Sequence, residues 1–124
     1  MISIVIPTYN NLDYLKLCLS SINKNSKYSH EIKLHINDGS DGTLEFAKKN
    51  NIFFTFSKTN IGLCSAINTV CSTVNNKYIL YAHDDMYFLP EWDKALSDEI
   101  KKIENNLFYL SATQISSNPP GKDL

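Results

Sequence analysis

Two adjacent carboxylates, Asp84 and Asp85, end the apolar run Tyr78-Ile79-Leu80-Tyr81-Ala82-His83. Like charges side by side repel and lose hydration, so a fold that keeps such a pair gives it a cation or polar partners. Binding a divalent metal and a phosphate is one use of the pair, and opening a solvated loop is the other. His83 could add a third ligand or simply be packed or solvated. Three more stretches carry groups able to do chemistry: Pro7-Thr8-Tyr9-Asn10, Asn37 to Thr43, and Asn60-Ile61-Gly62. Tyr9 is a stacking platform for a base or a loop aromatic. His30 and His35, five apart around a strand, give no metal pair. The chain has no arginine, so an anion must be held by lysine, backbone N–H groups or a metal.

Several familiar chemistries fail on spacing. An EF-hand loop counted from Asn37 has Gly39 third and Lys48 twelfth, where ligands are required. A phosphatase-type Asp-x-Asp-Gly-Thr nucleophile is one residue out of register, because two residues separate Asp38 from Asp41. No Gly-Lys-Ser/Thr ending and no GxGxxG are present. Ser40 and Asp41 suit an Asx-type turn capping the following helix, which leaves Asp38 for ligand contact. Gly62 allows close backbone approach, and a helix starting there would offer free N–H groups to an anion.

Elements that could position these groups follow from periodicity. Ile2–Ile6 is expected as a strand ended by Pro7, and Leu12, Leu15, Cys18, Leu19 and Ile22 mark a helix capped by Asn10 or Asn11. Glu31–Ile36 is expected as a second strand, and a short helix runs from Asp41 to Lys49. A third strand follows at Ile52–Phe56, then a helix striped by Leu63, Ala66, Ile67, Val70, Cys71 and Val74. The run ending at Asp84 reads as a fourth strand, buried on both faces. Pro90 opens a helix bearing Trp92, Ala95, Leu96, Ile100 and Ile103, and Leu107–Ala112 reads as a fifth strand. Alternating strands and helices specify a mostly parallel α/β sheet with helices on both faces. All four chemically capable stretches then fall just after strands and should converge on one edge.

At 124 residues the chain is expected to form one domain, over residues 1–115, with residues 116–124 as a flexible tail lacking apolar residues to pack. Its net charge of −1 gives no reason to expect nucleic acid or an anionic membrane as partner. Cys18, Cys64 and Cys71 are an odd set without CxxC spacing, within helical apolar patterns, so buried free thiols and a reducing compartment are expected. No apolar stretch approaches the ~20 residues of a membrane span, and the apolar Met1–Ile6 are too few for a signal h-region and lack a basic n-region. The expected location is the cytoplasm, with membrane attachment through a partner left open.

In order and spacing, Ile4-Val5-Ile6-Pro7-Thr8-Tyr9-Asn10, Asn37-Asp38-Gly39-Ser40, Asn60-x-Gly62-x-x-x-Ala66-x-Asn68 and Tyr78 to Asp85 with Pro90 resemble family 2 glycosyltransferases. The resemblance implies a three-layer, Rossmann-like GT-A fold that binds a nucleotide-diphosphate sugar, with uridine the expected base. It implies donor contacts from Pro7, Thr8, Tyr9, Asp38, Asn60, Gly62 and Asp84. Among these, Asp38 would bond the base, Thr8 and Tyr9 would line its pocket, and Asp84 would contact the ribose or assist the metal. Asp85 would ligate Mn²⁺ or Mg²⁺, and the sugar would be transferred with inversion to an unidentified glycan, lipid or protein acceptor. His83 departs from the family pattern, standing where many members carry the first Asp of DxD. Val70 replaces a frequent glycine, and the Asn-Asp-Gly-Ser segment reaches Asp-Gly-Thr one residue early. The family's acceptor half and catalytic carboxylate are expected beyond the fifth strand, so no residue here carries over as the base. The alternative is a non-catalytic nucleotide-sugar binding module, or a relative needing a partner or a further C-terminal half. Apolar surface left uncovered would favour self-association.

Overall fold

The computed structural model describes residues 1–113, so the boundary at 115 and the tail 116–124 lie outside the described residues. Strands β1 (Ile2–Tyr9), β2 (Glu31–Asn37), β3 (Phe53–Ser57) and β4 (Tyr78–Tyr81) alternate with helices α1 (Leu12–Asn25), α2 (Thr43–Lys49), α3 (Leu63–Cys71) and α4 (Trp92–Ile100). The strands form one parallel sheet in the order β3-β2-β1-β4. Pleating sends Ile4, Ile6, Leu34 and Ile36 to one face, where Leu15, Cys18, Leu19 and Ile22 of α1, Ala47 of α2 and Trp92 of α4 cover them. Ser3, Val5, Lys33 and His35 point the other way, on the face packed by α3, whose buried residues are Ala66 and Val70. The α/β architecture with helices on both faces is the one expected.

Five local expectations are corrected. Pro7 does not end β1, which continues to Tyr9 against β2. The carbonyl of Val5 turns to β4, where the Ala82 N–H donates to it at 3.1 Å, and the β1–β4 pairing stops there. Pro7, two residues on, faces the same side past the end of that ladder, so its missing N–H leaves no bond unmade. The strand β4 is at the sheet edge, with Ile79 and Tyr81 exposed rather than buried on both faces. Helix α3 ends at Cys71, leaving Val74 in the following turn. Pro90 stands before the left-handed Glu91 that caps α4, so it is outside that helix.

No strand forms at Leu107–Ala112, where Leu107 is 93% and Tyr109 92% exposed. Only Phe108 reaches the sheet among the aromatics of this stretch, tilted against Tyr78 with centroids 6.0 Å apart. β-forming side chains do not make a strand without a ladder partner. Among the described residues, no helix is long and apolar enough to cross a membrane.

Candidate functional site

Strand β1 lies between β2 and β4, so the loop that follows it reaches both acidic loops. Thr8, 2% exposed, donates its hydroxyl to Asp84 Oδ2 at 2.8 Å, and Asn11 Nδ2 donates to Asp84 Oδ1 at 3.0 Å. Both oxygens of Asp84 are thereby held against the end of β1. Its neighbour Asp85 is exposed and has no hydrogen-bond partner among the described residues. On the other side, Asn10 Nδ2 donates to Asp38 Oδ2 at 3.2 Å, while Asp38 Oδ1 accepts the Ser40 N–H at 3.2 Å. The Asp38 N–H donates to the Ser57 carbonyl at 2.8 Å, and Asn37 Oδ1 accepts the Ile61 N–H at 3.0 Å. Hydrogen bonds thus join the loops after all four strands at one edge.

The backbone at this edge is unusual. Asn10, Asp38, Gly39, Gly42 and Gly62 all have φ between 45° and 101°, a left-handed cluster of the kind that functional turns retain. At Gly39 (φ 74°) an added Cβ would lie 2.7 Å from Ile36 Cγ2 and 3.1 Å from Leu44 Cβ. Gly39→Ala is therefore expected to cost about 2 kcal/mol, seen as a lower urea midpoint with an unchanged slope.

The other residues singled out in the sequence occupy distinct positions. Pro7 is buried within β1, opposite His35, and Tyr9 is half exposed at the end of the strand. Asn60 is exposed, its Oδ1 accepting the Gly62 N–H at 2.9 Å. Because the Ile61 and Gly62 N–H groups are both engaged, the free donors of α3 are those of Leu63, Cys64 and Ser65, which have no acceptor among the described residues. His83 is exposed and lies against Tyr81, its Nε2 3.1 Å from the hydroxyl.

Asp41 forms the expected Asx turn, its Oδ1 accepting the Thr43 N–H at 3.1 Å and hydroxyl at 2.6 Å. It also caps α1 from outside, because Oδ2 accepts the Leu12 N–H at 3.0 Å while the capping residue Asn11 is turned to Asp84. From the sequence, Asn10 belongs to the strand-end stretch Pro7–Asn10 and Asn10 or Asn11 is a helix cap, but their hold on the two acidic loops is missed. The strand order would have revealed that role, and local spacing does not encode it.

Beneath the carboxylate pair, the buried Cys18 Sγ lies 3.6 Å from the His83 carbonyl. Burial, then the charges of Asp84 and Asp85, push its thiol up to about 12. Burial and the same two carboxylates also raise the Tyr81 hydroxyl. Cys64 is exposed, contrary to the expectation of three buried thiols, and Cys71 is half-buried. At pH 8, iodoacetamide is expected to label Cys64 and spare Cys18, by peptide mass spectrometry of the folded protein. Labelling of Cys18 at a rate equal to that of Cys64 would contradict this burial.

No three His, Cys, Asp or Glu side chains gather to hold an ion among the described residues. The described residues therefore supply no ready-made cage. Mg²⁺ ordinarily takes one or two carboxylates and fills its shell with phosphate and water, and the exposed Asp85 fits that role. Two shallow surface clefts, one lined by Ser26, Tyr28 and His30 and the other by Lys16, Phe46 and Ile52, share none of the strand-end residues.

Comparison with known proteins bears on the family and the fold. The family model described as Glycosyl transferase family 2 matches residues 3–123. Chondroitin synthase of Pasteurella multocida is 32% identical over 126 aligned residues, which cover 98% of this chain and 13% of the synthase. The solved structure of S. aureus TarS 1-349 in complex with UDP superposes with a TM-score of 0.72 at 23% identity, covering 82% of this chain and 32% of TarS. A mannosyltransferase of Pyrobaculum calidifontis, PcManGT in complex with GDP-Man and Mn²⁺, gives 0.67 at 17% identity over 84% of this chain and 32% of that one. At these identities the structural likeness establishes the GT-A fold. The chain spans only 13–18% of the length of the curated relatives it matches.

Proposed function

The chain belongs to glycosyl transferase family 2, and from that premise we propose that its strand-end edge is the donor site of a nucleotide-sugar glycosyltransferase. The observation that carries this reading is the convergence of Asp38 and the Asp84–Asp85 pair on the end of β1, through Asn10, Asn11 and Thr8. Asp38, fixed by Asn10 and Ser40, meets the base, with Tyr9 the exposed aromatic beside it. Asp84 is oriented by Thr8 and Asn11 and meets the ribose. Thr8 thus acts through Asp84 rather than as an exposed pocket wall. The Asn60–Gly62 turn leads the diphosphate to the open N–H groups of α3. Uridine is the base we assign, and TarS, which superposes on the chain, was solved with UDP.

Asp85 would hold Mn²⁺ or Mg²⁺, as the free carboxylate of the edge. When bound, such an ion supplies Lewis-acid neutralisation of charge on the departing nucleoside diphosphate. We place the location in the cytoplasm and the reaction among inverting transfers to a glycan, lipid or protein hydroxyl. Titration of UDP into the chain with Mn²⁺ tests the reading directly. Saturable one-site heat is expected, and no heat with Mn²⁺ or Mg²⁺ would end it.

One observation favours a second reading, a binding module that lacks turnover by itself. Asp38, Asp41 and Asp84 are each engaged by protein donors, and Asp85 is assigned to the ion. Among the described residues, no strand-end aspartate remains to deprotonate an acceptor. Binding of UDP-sugar without hydrolysis or transfer across an acceptor panel would select the module.

A further inference from the structure

The hydrogen bonds beneath the Asn60–Gly62 turn run in one direction, and they begin at a histidine buried in the sheet. His35 is 1% exposed and sits on β2 opposite Thr55 of β3. Its Nδ1 lies 2.8 Å from Thr55 Oγ1 and its Nε2 lies 3.2 Å from Ser57 Oγ. The single hydroxyl proton of Ser57 is directed elsewhere, with Asn37 Oδ1 at 2.8 Å and the Thr59 carbonyl at 2.9 Å as its acceptors. Whichever of these takes it, Ser57 Oγ can only accept from His35. The ring proton therefore resides on Nε2, and Nδ1 accepts the Thr55 hydroxyl. Desolvation holds this imidazole below its ordinary value, in keeping with a neutral ring.

From Ser57 the chain of bonds continues to both sides of the candidate site. Asn37 Oδ1 accepts the Ile61 N–H, which fixes the orientation of its amide and leaves that oxygen 2.8 Å from Ser57 Oγ; two acceptor oxygens at that distance repel, which favours the Ser57 proton between them. The Ser57 carbonyl takes the Asp38 N–H. One buried side chain thus reaches, through the Ser57 hydroxyl, the residue that anchors the turn before α3.

We propose that His35, acting through Ser57 and Asn37, is a positioning residue for nucleotide binding. It holds the Asn60–Gly62 turn so that the open N–H groups of α3 face the diphosphate. This rests on the donor-site reading above, so the test includes a measurement that needs no nucleotide. Ser57→Ala removes the link at almost no change in volume. It is expected to speed hydrogen exchange of the Ile61 amide and to weaken UDP binding with Mn²⁺, each by about three- to tenfold, the equivalent of one neutral hydrogen bond. His35→Gln keeps an amide donor for Ser57 and should leave both readouts near those of the unaltered chain, whereas His35→Leu should shift both as Ser57→Ala does. In the unaltered chain, imidazole ¹⁵N shifts should report the Nε2–H tautomer.

Unchanged Ile61 exchange in Ser57→Ala overturns the proposal whatever the nucleotide does. Faster exchange with unaltered UDP affinity also overturns it, because the turn would then be held for some other purpose. An Nδ1–H tautomer would reverse the direction of the relay and do the same. If the unaltered chain binds no UDP while Ile61 exchange responds to Ser57→Ala, the donor-site reading fails, and the role assigned to His35 in donor binding fails with it.

Discussion

Asp85→Ala is expected to abolish the metal-dependent part of nucleotide binding while leaving the fold intact. At a UDP–Mn²⁺ concentration 100-fold above its dissociation constant, a one-site ligand stabilises the folded state by about 2.7 kcal/mol, which raises the thermal midpoint of a domain this size by roughly 10 °C. That rise should vanish in Asp85→Ala, and the midpoint without ligand should stay within about 1 °C, because the side chain is exposed and bonded to nothing among the described residues. Asp84→Asn makes the informative comparison. It keeps one acceptor oxygen but turns an NH₂ toward either Thr8 or Asn11, both of which donate to the carboxylate in the unaltered chain. This variant should lower the midpoint without ligand, because the pair divides into one structural and one free carboxylate. A full UDP–Mn²⁺ shift in Asp85→Ala would refute the metal assignment.

The second large effect lies far from the site. Asp93, whose side chain is fully buried, ties the connection between α1 and β2 to the start of α4. Its Oδ1 accepts the Lys27 N–H at 2.9 Å, and its Oδ2 accepts the Tyr28 N–H at 2.7 Å and bonds His30 Nε2 at 2.9 Å. Trp92 packs beside this knot, 5.2 Å from the His30 ring, and donates its indole N–H to Ser26 Oγ at 3.0 Å. Asp93→Ala would strand two backbone donors and an imidazole in the interior, at a cost of about 3–5 kcal/mol in urea unfolding. A loss below about 1 kcal/mol would show that water replaces the carboxylate freely.

The same residue predicts a pH dependence. Burial by itself would raise the Asp93 carboxyl, but the Lys27 and Tyr28 N–H donors and His30 outweigh it, so the folded value lies below the usual carboxylate range. A depressed folded value means that this stabilisation is complete above the unfolded value near pH 4 and is lost as pH falls through the folded value. Asp41 is depressed likewise, its Thr43 and Leu12 donors prevailing over burial. Unfolding midpoints measured from pH 7 down to pH 3 should therefore decline below pH 4 in the unaltered chain. The decline should be shallower, though not flat, in Asp93→Asn. An identical slope in both proteins would remove Asp93 from the account.

By itself the amino-acid sequence determined the secondary elements that matter, because alternation with a period of two and stripes with a period near 3.6 are local properties of a chain. It also placed Asp38, Asn60, Gly62 and the Asp84–Asp85 pair after strands, and therefore on one edge of a parallel sheet. The tertiary structure alone decided which of these groups are tied and which are free. Thr8 and Asp84 are 76 residues apart and Asn10 and Asp38 are 28 apart, and they meet because β1 sits between β4 and β2. Nothing in the local pattern distinguishes Cys18, buried under the acidic pair, from Cys64, exposed at the start of α3, or marks Asp93 and His35 as buried. Leu107–Ala112 shows the same boundary from the other side: its composition suits a strand, but a strand also needs a neighbour to share its hydrogen bonds, and no neighbour pairs with it among the described residues. The carboxylate pair was legible as two candidate ligands. Its division into Asp84, held by Thr8 and Asn11, and Asp85, left open, came only from the contacts that sheet order imposes.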